Sequence, residues 1–128
     1  MMIKTKTLTK GEIQVMNVLW SLPDEKGTSH DIMERMPEPK PAPTTLLTFL
    51  KILTEKGFVE AVKMGKGKLF SALVSRRDYT SFYMRDVRDT FFGGSFSSLV
   101  SFFAEEENLS QKDIDEILAL LGKKSEQL

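Results

Sequence analysis

The hydrophobic period of the chain changes after Gly57, and this change restricts the folds that the chain can adopt. Upstream, apolar residues recur at the spacing of helices. Downstream, Phe58–Val62 and Leu69–Leu73 alternate with a period of two, which predicts two β-strands. Residues 64–67, Met-Gly-Lys-Gly, predict a hairpin loop between them. Three helices followed by a hairpin form the element order of a winged helix-turn-helix.

Short-range signals place the ends of these three helices. A threonine followed three residues later by an acid predicts a helix start, whereas proline or a Lys-Gly pair predicts an end. Pro43 predicts the start of the third helix. Asp24–Gly27 predicts a turn between the first two helices. The signals are Thr9, Glu12 and Pro23 for the first helix, Thr28, Asp31 and Pro37 for the second, and Pro43, Lys56 and Gly57 for the third.

Four of the five prolines occupy every second position of residues 37–43, Pro-Glu-Pro-Lys-Pro-Ala-Pro. Proline fixes its own backbone and restricts the preceding residue, so this segment cannot be a helix or a central strand. A stiff, extended connector is the prediction. Recognition by another domain is an alternative, because proline-rich segments also act as ligands.

The helical period returns at Ser75. Gly93-Gly94 and the acidic run Glu105–Glu107 divide the remaining chain into three apolar stripes, and Gly122 predicts the end of the last one. The predicted fold class is therefore mostly α with a small β-hairpin. We expect an N-terminal winged helix DNA-binding domain in residues 1–74 and a helical dimerisation domain in residues 75–128.

The net charge of zero conceals an asymmetry. Residues 1–74 carry 11 Lys and Arg against 8 Asp and Glu, whereas residues 75–128 carry 7 against 10. A basic half joined to an acidic half is consistent with a nucleic-acid-facing domain and a second domain of another function. The balanced total argues against a protein that holds nucleic acid by bulk positive charge alone.

The chain has no cysteine and a single histidine, His30. This composition excludes disulfides, thiolate metal sites and cysteine nucleophiles, so no metal or cofactor is predicted. His30 falls in the first turn of a short helix, and no glycine-rich phosphate loop precedes a helix, so we do not expect an enzyme. No apolar run approaches the ~18 residues that span a bilayer, and no signal peptide is visible. A cytoplasmic protein without membrane contact is the prediction.

The C-terminal helices are too small to bury all of their large apolar side chains within one chain. Dimerisation is therefore predicted, since a second subunit would cover this surface. Folding of the helices back onto the N-terminal half is the alternative. The residues predicted to form the dimer are Phe82, Phe91, Phe96, Leu99, Phe103, Ile117, Leu118 and Leu121.

The third helix has a predicted core face of Leu46, Leu50 and Leu53 and an opposite face suited to reading DNA. Threonine hydroxyls bond base edges or phosphates, threonine methyls touch the thymine methyl group, and lysine contacts phosphate or guanine. Helix capping by a threonine and a solvated lysine are the alternatives. The predicted DNA-binding residues of this helix are Thr44, Thr45, Leu47, Thr48 and Lys51.

The predicted hairpin carries Lys63, Lys66 and Lys68 around two glycines. On a wing, such lysines follow the phosphates along the edge of a groove. The alternative is that they only protect the exposed strand edges from aggregation.

Seven segments together carry the pattern of a known family, namely Thr9–Trp20, Thr45–Leu53, Lys56–Val59, Leu73–Ser75, Gly93-Gly94, Ser98–Val100 and Leu109–Gln111. They resemble the penicillinase and methicillin-resistance repressors (BlaI/MecI type), a family of winged helix transcriptional repressors. The resemblance covers nearly the whole chain. It implies a homodimer that binds a dyad-symmetric operator in double-stranded DNA and is relieved when a sensor-activated protease cuts the C-terminal domain.

The chain departs from this family pattern in three respects. Leu47 and Ile52 occupy positions that often hold arginine. Phe102-Phe103 stands where the resemblance implies a cut at an Asn-Phe bond, so this pair is the candidate cleavage site. Because cysteine is absent, the copper-sensing mode of some relatives does not transfer. A winged helix used only for protein contact remains an alternative, and the exposed apolar residues predicted at positions 47 and 52 favour it.

Overall fold

The computed structural model describes residues 7–126, and their side chains as far as Leu120. Six α-helices and three short strands form the described chain, with one 3-10 turn at Pro23–Glu25. The elements in chain order are α1 (Lys10–Ser21), β1 (Lys26–Gly27), α2 (Ser29–Arg35), α3 (Pro43–Glu55), β2 (Val59–Met64), β3 (Gly67–Ala72), α4 (Arg76–Phe91), α5 (Phe96–Glu106) and α6 (Gln111–Glu126). This is the predicted fold class, a winged helix followed by helices.

Both predicted capping boxes are confirmed. The Thr9 hydroxyl accepts from the backbone N–H of Glu12, and the Glu12 carboxylate accepts from the N–H of Thr9 at 2.9 Å. Thr28 and Asp31 make the same reciprocal pair at the start of α2. Each box satisfies backbone donors that a helix start leaves without a partner.

The small sheet has three strands in the order β1-β3-β2, all antiparallel. The prediction of a plain turn at residues 24–27 is therefore wrong in part, because Lys26 pairs with Ser71 and Gly27 with Phe70. A strand of two residues is too short to show a period in the sequence. The wing, β2 and β3, turns through Gly65 and Lys66, a shorter loop than predicted, and Gly65 adopts a φ of 61°.

The hydrophobic core of the winged helix joins one face of each N-terminal helix to the base of the wing. Gly57, at a φ of 84°, ends α3 as predicted, and the N–H of Phe58 bonds the carbonyl of Leu53 at 2.9 Å. Phe58 thus enters the core directly after the helix. The fully buried side chains are Val15, Met16, Leu19, Ile32, Leu46, Leu50, Leu53, Phe58 and Val59.

Residues 37–42 form neither helix nor strand, as their prolines predict. The ammonium of Lys40 donates to the carbonyls of Met33, at 2.7 Å, and Glu34, at 2.9 Å. These bonds satisfy carbonyls at the C-terminal end of α2 and hold the connector against that helix.

Two compact units divide the chain within α4, between Tyr83 and Met84. This division lies beyond the predicted boundary at residues 74 and 75, because the first turns of α4 pack on the winged helix. Tyr79 is buried there, and its hydroxyl accepts from the N–H of Leu8 at 2.9 Å. DNA binding by the first predicted domain and dimerisation by the second stay predictions.

In the second unit, α4 ends before Gly93-Gly94, and the hydroxyl of Ser95 caps the start of α5 by accepting from the N–H of Ser98. Ser110 and Asp113 form a capping box for α6. The prediction that Gly122 ends α6 is wrong, because the helix continues to Glu126. One glycine inside a helix costs only about 1 kcal/mol relative to alanine. No helix within residues 7–126 has the length and apolar character needed to cross a membrane.

Candidate nucleic-acid interface

The two faces of α3 differ in burial as predicted. Leu46, Leu50 and Leu53 are fully buried and hold the helix on the core. The opposite face meets solvent, and Leu47 is 49% exposed. All five residues predicted to contact DNA are exposed on α3, namely Thr44, Thr45, Leu47, Thr48 and Lys51.

No threonine caps α3. The N-cap residue is Ala42, it has no side-chain cap, and Pro43 occupies the first turn. The capping alternative for Thr44 and Thr45 is therefore wrong. The Thr48 hydroxyl donates to the carbonyl of Thr44 at 3.0 Å, which leaves its lone pairs available to a donor such as a base amino group.

An ion pair fixes α3 against α1. Lys56 Nζ lies 2.8 Å from Glu12 Oε1, and the Glu12 side chain is only 4% exposed. Burial alone raises the pKa of Glu12, but hydrogen bonds from Lys56 and Thr9, with the charge of Lys56, hold that pKa below its usual 4.5. α3 also approaches α1 closely elsewhere, since a Cβ added to Gly11 would lie 2.6 Å from Phe49 Cζ. The helix that carries the exposed threonines is thus rigidly placed.

The three predicted lysines of the wing are exposed, and two of them face each other. Lys63 and Lys68 are direct partners in the β2–β3 ladder. Like charges at opposite positions destabilise a sheet. No ion pair among the described side chains includes Lys63, Lys66 or Lys68. The repulsion between Lys63 and Lys68 destabilises the unbound protein, and a bound anion would remove it.

A groove of about 640 Å³ runs between α3 and the wing. Ala61 and Phe70 pair across the ladder and lie on the same face of the wing as Lys63 and Lys68. The groove therefore has an apolar floor and cationic edges. Its lining includes Leu47, Lys51, Thr54, Glu55, Ala61, Lys66, Lys68 and Phe70.

The predicted dimerisation residues do not all share one environment. Phe82 is partly buried against the core of the winged helix, with its ring 6.1 Å from that of Tyr79. Leu99 is buried. The Leu121 side chain lies outside the described residues. Phe91, Phe96, Phe103, Ile117 and Leu118 are exposed.

Further exposed apolar side chains of the second unit lie outside the predicted set of dimerisation residues. Every side chain of α6 that the structure describes, from Gln111 to Leu120, is exposed, and Leu120 is 66% exposed. These further residues are Val100, Phe102, Ile114 and Leu120.

The candidate cleavage site lies inside α5. The rings of Phe102 and Phe103 are 5.8 Å apart and meet edge to face, and Phe92 packs 5.5 Å from Phe102. The Phe102–Phe103 bond is therefore part of a regular helix that starts at Phe96 and ends at Glu106.

Comparison with known proteins gives one consistent result. A family model described as penicillinase repressor matches residues 8–123. The methicillin resistance regulatory protein MecI of Staphylococcus aureus (strain N315) is 31% identical over 122 residues, 94% of this chain and 98% of the relative. MecI of Mammaliicoccus sciuri is 30% identical over the same shares. The penicillinase repressor of Bacillus licheniformis is 27% identical over 94% of this chain and 93% of its own.

Proposed function

The chain belongs to the penicillinase repressor family, and on that premise we propose that it is a homodimer that binds a dyad-symmetric operator in double-stranded DNA. The family is one of transcriptional repressors and not of enzymes. The protein acts in the cytoplasm, where it reaches DNA. In each subunit α3 enters the major groove and the wing contacts the adjacent phosphates.

The observation that carries this proposal is the pairing of α3 with the wing. Thr44, Thr48 and Lys51 form an exposed face that can bond base edges. Lys63 and Lys68 are opposed without an anionic partner among the described side chains, and phosphate supplies one. A DNA-binding surface is expected to combine side chains that contact base edges with cations that contact phosphates.

The second copy is supported by the surface of the second unit. Among its described side chains only Leu99 counts as buried, while Leu118 is 59% exposed. A unit of this size cannot form a sufficient core alone. Twofold pairing of α5 and α6 with the same helices of a second chain buries this surface and holds two α3 helices for two half-sites.

Relief by a sensor-activated protease is part of the proposal, with one physical condition. The Phe102–Phe103 bond lies within α5, so a protease reaches it only when that helix opens locally. Cleavage would remove α6 and separate the two winged helices of the dimer. Two linked winged helices gain affinity through their effective concentration at the two half-sites, and separation removes this gain.

A winged helix that binds a protein instead of DNA is the second candidate. Leu47 favours protein binding, because it is an apolar side chain that is half exposed on the reading face, the face of α3 that carries Thr44, Thr48 and Lys51. The two candidates differ in salt dependence, because only binding to many phosphates falls steeply with salt.

A gel-shift titration on the promoter of the chain's own gene tests the proposal at about 50 and about 200 mM salt. Neutralising about six phosphates predicts a loss in affinity of about a thousandfold over that range. Replacing Thr48 and Lys51 by Ala weakens specific binding, whereas Thr80→Ala, at an exposed site on α4, leaves it unchanged. Absence of a salt-sensitive shift, with binding to a partner protein instead, contradicts DNA binding.

A further inference from the structure

We infer that Leu47 reads the 5-methyl group of a thymine in each operator half-site. This inference rests on the proposed function and adds a specificity-determining residue to it. The inference is based on the position of this half-exposed leucine between hydroxyl and ammonium groups on the reading face of α3.

Leu47 does not serve the core. Its neighbours in sequence and along the helix, Leu46 and Leu50, are fully buried and already fill that face. Leu47 remains 49% exposed, at the border between the groove beside the wing and a smaller cavity formed with Met33 and Pro43. The folded protein therefore gains little from a large apolar side chain here, whereas a complex that covers it gains its burial.

The groups around Leu47 indicate that the partner is DNA. Lys51, Lys66 and Lys68 line the same groove, and they suit an anionic surface. A protein partner would have to leave these cations uncompensated or supply carboxylates for them. Glu55 also lines the groove, but it lies at the C-terminal end of α3, two turns from Leu47.

A leucine in the major groove has one apolar target. The base edges there present hydrogen-bond donors and acceptors, and only thymine adds a methyl group. Leucine cannot satisfy a donor or an acceptor, so it disfavours positions where polar base atoms would lose water. Leu47 consequently selects thymine both by contact with its methyl group and by exclusion of the other bases.

Thr48 supports this contact from the neighbouring position. Its hydroxyl proton is engaged by the Thr44 carbonyl, so the oxygen is left to accept a hydrogen bond. Adenine and cytosine present amino donors in the major groove, whereas guanine presents acceptors. The pair Leu47-Thr48 thus favours a thymine next to a base with an amino group.

The experiment begins with selection of duplex sites from a random pool by the full-length dimer. Each thymine of the selected site is then replaced singly by deoxyuracil, which removes only the methyl group. For the unmodified protein, one position in each half-site weakens binding about fourfold, the effect of burying one methyl group. Replacing both positions together weakens binding about fifteenfold.

The variant Leu47→Ala shows which residue makes the contact. It binds the thymine site more weakly and loses the distinction between thymine and deoxyuracil at that position. Leu73→Ala is the matched control, because Leu73 is similarly exposed but lies at the base of the wing, after β3. Its deoxyuracil penalty equals that of the unmodified protein.

The possible failures are distinguishable. A selected site whose affinity is insensitive to deoxyuracil overturns the Leu47 inference and leaves the proposed function standing. The same holds for a deoxyuracil penalty that persists unchanged in Leu47→Ala. Selection that enriches no site overturns the proposed function and the inference with it. Melting curves verify that Leu47→Ala is folded, as expected for alanine at an exposed helix position.

Discussion

Lys56, at the end of α3, donates a 2.8 Å hydrogen bond to Glu12 in the first turn of α1. The same carboxylate oxygen accepts from the backbone N–H of Thr9. One acid therefore caps α1 and fixes the orientation of the helix that carries the reading face. This contact connects the stability of the winged helix to the position of the residues proposed to bind DNA.

Removal of the charge at Glu12 is expected to destabilise the winged helix. Glu12→Gln keeps a capping group but leaves Lys56 with no anion, and we expect a loss of about 2 kcal/mol in the free energy of unfolding. Urea denaturation measures it. Glu55→Gln, which changes an exposed carboxylate on α3, is the control and shifts stability by about 0.5 kcal/mol or less. Equal effects of the two variants would contradict the role of the ion pair.

The same contact predicts how stability depends on pH. The pKa of Glu12 is lower in the folded protein than its usual 4.5. A lowered folded pKa stabilises above the unfolded value, and this contribution is lost as pH falls through the folded pKa. The free energy of unfolding should therefore decline below about pH 4.5 more steeply in the unmodified protein than in Glu12→Gln. Parallel pH profiles of the two proteins would refute this.

The hydroxyl of Tyr79 joins α4 to the start of the winged helix. Tyr79→Phe leaves the N–H of Leu8, buried beside this ring, without its acceptor, and we expect a loss of about 1–2 kcal/mol in stability. Tyr83→Phe, an exposed tyrosine one turn further on, is the matched control with little effect. Thermal melts compare the two. DNA affinity at a temperature where both variants are folded should be unchanged.

Replacing one of the opposed wing lysines is expected to act in opposite directions on stability and binding. Lys68→Gln removes the repulsion with Lys63 and should raise the free energy of unfolding by a few tenths of a kcal/mol. It should also weaken binding to all DNA sequences similarly and reduce the salt slope by about 1 per subunit. Denaturation and salt titrations measure both. A salt slope that stays unchanged would remove Lys68 from the phosphate contacts.

A charge placed on the exposed face of α6 should dissociate the dimer. Leu118→Glu puts a carboxylate where the proposed interface is apolar, and desolvation of that charge opposes assembly. Sedimentation should show a shift from dimer to monomer, with helix content retained. Gln111→Glu adds the same charge at a polar position of the same helix and should remain dimeric. Dimers of equal strength in both variants would place the interface elsewhere.

The parts of the fold that could be predicted from the sequence are those with short-range causes. The boxes at Thr9 and Thr28, and the glycine end of α3, involve residues a few positions apart. β1 was not predictable, because its two residues are strands only through pairing with Phe70 and Ser71.

In the candidate site too, features with short-range causes could be predicted, and features that depend on distant contacts could not. The period of α3 was sufficient to separate its core face from the face proposed to contact DNA, and the structure confirms that the second face is exposed. The partial burial of Phe82 could not be predicted, because a stripe along α4 does not reveal that its first turns pack on the winged helix. The ion pair between Glu12 and Lys56, and the opposition of Lys63 and Lys68, depend on contacts between distant segments and needed the structure.

The mass of the complex on a selected operator, measured by analytical ultracentrifugation, tests the central claim most directly. The account predicts two chains for each duplex that carries both half-sites, and much weaker binding when one half-site is scrambled. Leu118→Glu should show the same weak binding on the intact operator. A complex of one chain per duplex with undiminished affinity, or no complex at all, would contradict a dimeric repressor.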